Sequence, residues 1–77
     1  MIYHAENEER RKKQKIWGRK VKIRLMDEEI TQSELAKLVG ITQPRISNIL
    51  SATILVSESN EKVAKISELL NIENPFS

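Results

Sequence analysis

The chain has 77 residues, 39% apolar and 31% charged, with a formal charge of +2. That length allows one small domain, and no run of about 18 apolar residues is present to span a bilayer. Cysteine is absent and His4 is the single histidine, which excludes disulfide staples and thiolate metal sites and leaves packed helices or oligomerisation as the source of stability. The opening Met1–Glu6 lacks the charged start and apolar run of a secretory signal, so a cytoplasmic location is expected.

Two glycines and two prolines are few for the many turns of an all-β domain. An all-α domain of four or five helices is expected, with a charged N-terminal extension. Charge is segregated along it. Arg10 to Arg24 carries nine Lys/Arg and no acid, whereas the remainder carries four cations and eleven acids. A basic segment is the footprint of a polyanion partner. The plainer reading is a solvated helix face with Glu6, Glu8 and Glu9 paired to Arg10, Lys12 and Lys13.

Residues 1–15 carry little apolar material after Tyr3 and Ala5 and read as a charged arm or helical extension, with the domain proper over 16–77. From Ile16 the pattern is amphipathic. Trp17, Val21 and Leu25 recur every four residues, with Ile16, Ile23 and Met26 on adjoining tracks, and the helix ends near Asp27-Glu28-Glu29. That track makes Trp17 a core residue rather than a stacking platform. Gly18 inside this helix costs about 1 kcal/mol relative to Ala.

A second helix opens at Thr31 or Gln32, where Thr31-Gln32-Ser33-Glu34 has capping-box spacing. Leu35, Ala36, Leu38 and Val39 form its apolar face, and Gly40 stops it. Thr42 caps a third helix, whose first turn accommodates Pro44 without losing a hydrogen bond. Ile46, Ile49 and Leu50 are its buried stripe. Ala52 to Val56 has strand-like composition, but one unpartnered strand is unstable; a loop whose Ile54 and Val56 plug the core is expected. A last helix starts at Ser57 or Ser59, carries Val63, Ile66, Leu69 and Leu70, and ends at Asn71 and Pro75.

The connection between the second and third helices has the spacing of a helix-turn-helix. Ala36 is small where the helices cross, Gly40 makes the sharp turn, and Ile41 fills the wedge. The block from Gln32 to Leu50, QSELAKLVGITQPRISNIL, resembles the phage-repressor (Cro-like) helix-turn-helix family. Thr31-Gln32 with Gly40 to Ser47 also resembles that family's antitoxin-type branch. The likeness covers about residues 17–72. It departs from the family pattern at Ser51-Ala52-Thr53, where a glycine is common, and at the apolar Ile54-Leu55-Val56.

The resemblance implies that the third helix lies in the major groove of double-stranded DNA and reads base edges from its first turns. The helical wheel agrees: with Ile46, Ile49 and Leu50 inward, Pro44 and Asn48 point outward, Arg45 and Ser47 flank them, and Gln43 projects from the N-terminal end. Gln43 could bond adenine, Arg45 guanine or a phosphate, and Asn48 either. Pro44 is either an apolar contact, for instance to a thymine methyl, or simply a helix starter. By resemblance Gln32 touches a phosphate at a helix terminus, local capping being its plainer role. Thr42 doubles as cap and phosphate donor. Arg10, Arg11, Lys12 and Lys13 supply further phosphate contacts as an arm following the backbone. Lys37 reads as solvated surface.

No enzyme is legible. His4 has no companion metal ligands, Asp27, Glu28 and Glu29 are solvated charges at a helix end, and no nucleophile with a base partner or glycine-rich phosphate loop can be proposed. No metal or cofactor is expected. The chain reads as a sequence-specific transcriptional regulator, a repressor, binding two half-sites as a homodimer. The alternatives are an antitoxin that binds DNA and a toxin protein, and a protein–protein adaptor retaining the fold; an antirepressor is a further possible protein partner. RNA binding is disfavoured because no aromatic residues interleave with the cations.

Overall fold

Four helices follow one another without a strand among the described residues: α1 (Ala5–Asp27), α2 (Gln32–Val39), α3 (Gln43–Leu50) and α4 (Glu61–Leu70). They are seen in a computed structural model that describes residues 5–77, with side chains from Asn7 onward; Met1 to His4 and the Glu6 side chain, with the readings attached to them, lie outside it. The helix count settles at four, and the chain is all-α.

The first helix differs most from its expected form. The apolar periodicity starts at Ile16, yet α1 is one unbroken helix of 23 residues from Ala5, about 34 Å long. Its N-terminal half is rich in Glu, Arg, Lys and Gln, all good helix formers, and holds no proline. Backbone propensity carries the helix where the apolar stripe is missing. Its end is marked by Glu29 in the left-handed region (φ 57°) and by the Ile30 N–H donating to the Leu25 carbonyl at 2.8 Å.

The caps of α2 and α3 fall where the sequence places them. Thr31 accepts from the Glu34 N–H, and the Glu34 carboxylate accepts from the Thr31 N–H, so the capping box is closed. Gly40 sits at φ 76°, and the Ile41 N–H donates to the Ala36 carbonyl at 3.0 Å. Helix α3 ends at Leu50 with Ser51 as its C-cap, and Ala52 follows at φ 59°, with the Thr53 N–H on the Asn48 carbonyl at 3.0 Å. Ala52 thus takes the left-handed role that glycine commonly fills. Helix α4 begins later than Ser57 or Ser59: Asn60 is its cap and accepts from Lys62 and Val63 N–H. Both serines are left in the preceding loop, where the Asn60 N–H folds back on the Ser57 carbonyl.

The core joins Trp17, Val21 and Leu25 of α1 to Leu35, Ala36 and Val39 of α2, Ile46, Ile49 and Leu50 of α3, Val56 of the loop, and Val63, Ile66 and Leu70 of α4. Ile30, Ile41, Ile72 and Phe76 close its edges. Five expected members of apolar faces are instead exposed: Ile16, Ile23, Met26, Leu38 and Leu69 are each at least half accessible. Ile16, Met26, Leu38 and Leu69 each adjoin a buried residue in sequence, whereas Ile23 lies on the far side of α1 from the core, so a narrower stripe suffices. Of the loop plugs, Val56 is buried and Ile54 only half-buried, while Ala52 is buried as well.

Gly18 is where α1 and α3 touch backbone to backbone. A Cβ built on it would overlap the Leu50 carbonyl oxygen and lie 2.7 Å from the carbonyl carbon. These atoms are main chain and cannot swing aside. Helix propensity alone would have Gly18→Ala stabilise the protein by about 1 kcal/mol. The packing reverses the sign. Gly18→Ala is expected to destabilise by about 2–3 kcal/mol, lowering the melting temperature by roughly 10 °C or more for a domain of this size. A calorimetric melt that rises in the variant would refute the close crossing.

Candidate nucleic-acid interface

Helix α3 presents two unlike sides. Ile46, Ile49 and Leu50 are buried, whereas Gln43, Pro44, Arg45 and Ser47 are exposed. Gln43 and Ser47 are four residues apart and share one face, directed away from the core. Asn48 departs from the wheel reading: it is half-buried rather than fully outward. Its carbonyl gathers the Ser51 hydroxyl and the Thr53 and Ile54 N–H groups, which draws the turn against it.

The N-termini of α2 and α3 carry the two non-basic phosphate candidates. Gln32 is half-buried in the first turn of α2. The capping box satisfies the Glu34 N–H, while the N–H groups of Gln32 and Ser33 have no intrahelical partner, as in any helix start. Thr42 is exposed, and its hydroxyl oxygen accepts from the Arg45 N–H at 3.4 Å, so the hydroxyl proton remains available to donate. Neutral donors at helix starts suit an anion, helped by the partial positive charge there.

The four cations expected to form an arm are not alike. Arg11 donates to the Ala52 carbonyl, and Arg10 is half-buried with its guanidinium on Asn7. Lys13 lines a small cleft with Glu9, Glu58 and Phe76, whereas Lys12 is exposed. The basic segment is therefore docked helix, at least from Arg10 onward.

Position and aim of α3 depend on residues that sequence reasoning passed over. Gln14 is fully buried; its amide donates to the carbonyls of Ile49 and Ile54, both at 2.8 Å, and its oxygen accepts from the Val56 N–H at 3.1 Å. It bonds the end of α3 and the following loop to α1. The signal was available: 14, 18, 21 and 25 is a 4-3-4 spacing once a glutamine and a glycine are admitted to the inward track. At the other end, the half-buried Lys62 donates to the Val39 carbonyl at 2.9 Å and closes the last turn of α2. Trp17 is core, as expected, and its indole N–H donates to the Ser67 hydroxyl, which donates in turn to the Val63 carbonyl.

Among the described residues no group of three acids or histidines could hold a metal, and no helix is long and apolar enough to cross a membrane. A family model described as helix-turn-helix matches residues 21–73. No significant match is found among curated proteins or among solved structures.

Gln14→Leu keeps the volume of the side chain but strands the Ile54 carbonyl and the Val56 N–H, whereas the Ile49 carbonyl keeps the Ala52 N–H. Each buried group left unpaired costs about 1–3 kcal/mol. The expected loss is at least 2 kcal/mol, with the Val56 amide proton exchanging far faster than in the wild type. Unchanged stability together with an unchanged Val56 exchange rate would show that the loop is held by other means.

Proposed function

The chain belongs to the Cro/C1-type helix-turn-helix family, and from that premise we propose that it is a sequence-specific, double-stranded-DNA-binding transcriptional regulator, acting as a repressor. The family is one of DNA-binding regulators, generally non-enzymatic. The observation that carries the finer reading is α3. It is eight residues long and capped at Thr42, its inner stripe is buried, and Gln43, Pro44, Arg45 and Ser47 all stand clear of the protein. A helix of that shape fits the major groove, where side chains from its first turns meet base edges.

Gln43 offers the bidentate amide that matches adenine, and Arg45 matches guanine or a phosphate. Ser47 and the partly sheltered Asn48 read the next positions. Pro44 has no donor and makes only apolar contact. Gln32, Thr42 and exposed cations of α1 hold phosphates, which fix register without reading sequence. So small a module makes limited contact, and useful affinity calls for two half-sites and a homodimer. Occupying an operator then blocks polymerase in the cytoplasm.

The test begins by selecting bound duplexes from a random pool to obtain the cognate site. Gln43→Ala should lose about 1–3 kcal/mol on that site, equivalent to roughly 5-fold to 150-fold in Kd, and much less on unrelated DNA. Equal losses on both would remove Gln43 from base reading.

A further inference from the structure

Three contacts fix which way each edge of α1 faces. Gln14 bonds the Ile49 carbonyl, Gly18 abuts Leu50, and Arg11 reaches the Ala52 carbonyl, so one edge follows the end of α3 and its turn. Trp17 bonds Ser67 of α4, and Lys13, Lys20 and Arg24 line clefts shared with Glu73, so the opposite edge faces α4 and the C-terminal tail. At about 100° per residue, Lys12, Lys15, Arg19 and Lys22 then fall together on the outer side of the α3 edge. All four are exposed. No acid interrupts them between Arg10 and Arg24, and Glu8 precedes Lys12 by one turn on the same track.

We infer that Lys12, Lys15, Arg19 and Lys22 form a second phosphate-binding surface, which lies along the DNA backbone beside the bases read by α3. The inference rests on the DNA-binding reading of α3. It replaces an undivided basic arm by one edge of a helix, and it leaves out Arg10 and Lys13, which turn to Asn7 and to the cleft with Glu9 and Glu58. From Lys12 to Lys22 the helix rises about 15 Å, the axial rise of roughly four nucleotides of one strand at ~3.4 Å each along the duplex axis. A row of cations at i, i+3, i+7 and i+10 is thus matched to several successive phosphates.

The composition favours a phosphate backbone over a protein partner. Protein interfaces are depleted in lysine at their centres and enriched in aromatic and other large apolar side chains. From Lys12 to Lys22 this stripe is three lysines and an arginine with no apolar residue among them; the exposed Met26 follows on the same track one turn later. The exposed Ile16 and Ile23 lie further round, on the side of α1 turned away from α3.

Two matched double variants test the assignment. K15Q/K22Q removes two charges from the α3 edge, and K13Q/K20Q removes two, seven residues apart in the same way, from the tail edge. All four positions are exposed, and glutamine preserves helix propensity; thermal melts confirm equal folding. The probe is a fluorescent duplex of about 20 base pairs and random sequence, titrated at a series of salt concentrations. K15Q/K22Q should flatten the slope of log affinity against log salt by about 1.8, which is 0.9 for each lost contact. K13Q/K20Q should change it by much less. If wild type binds and the two variants flatten the slope equally, or neither does, the stripe is refuted while the α3 reading stands. If wild type shows no salt-dependent duplex binding, the reading beneath it falls as well.

Discussion

Everything that aims α3 passes through one buried carboxamide. The segment from Ser51 to Asn60 has no helix or strand of its own, so its main-chain groups need partners from elsewhere. Gln14 supplies two of them, at Ile54 and Val56, and also reaches the Ile49 carbonyl at the end of α3. An amide is suited to the position because it both donates and accepts, whereas a carboxylate could only accept and a lysine only donate. It carries no charge, so burying it costs far less than burying an ion once its bonds are made. Gly18 lets the two helices come close enough for those bonds to be short. Removing either would leave α3 capped at its start but loose at its end.

A second polar bond works in the same manner on the other side of α1. The Trp17 indole N–H, the Ser67 hydroxyl and the Val63 carbonyl form a chain inside the core. Apolar burial alone would allow α1 to slide or rotate against α4. Directional bonds at Gln14 and Trp17, three residues apart on the same helix, fix both its rotation and its height. With a core of little more than a dozen residues, such specificity comes from hydrogen bonds rather than from additional apolar mass.

How much was legible follows from where each signal resides. Helix starts and stops are local chemistry. Thr31 with Glu34, Gly40 and Thr42 announce themselves in a few residues, and all three act as their types suggest. The core positions that the pattern assigned to α3 were correct because three apolar residues on eight leave one possible inward face. In helix α1 the pattern leaves arm and helical extension both open over 1–15, because the N-terminal half contributes to the core with a glutamine rather than an apolar side chain; from Ala5 the extension is the form taken. Gly18 was read by propensity, a property of isolated helices, although its neighbour across the interface decides its effect. Leu38 and Leu69 illustrate the converse: an apolar residue beside a buried stripe is not thereby part of it. At Ala52 the departure from the family pattern changed the residue and kept the backbone, since alanine occupies the left-handed turn at φ 59°.

The reach of α1 also sets the order in which the molecule can assemble. Its bonds join residues 35 to 50 positions apart, from Gln14 to Ile49 and from Trp17 to Ser67. Helices α2 and α3 have eight residues each, below the roughly 12–15 at which an isolated helix becomes even marginal in water. The turn between them can be nucleated locally, but it cannot persist until the chain has been made nearly to its end and folded back on its beginning. A fragment limited to the family-matched residues 21–73 would lack Gln14, Trp17 and Gly18. The matched segment is therefore shorter than the packed unit, and the difference is chiefly the part of α1 that precedes Val21.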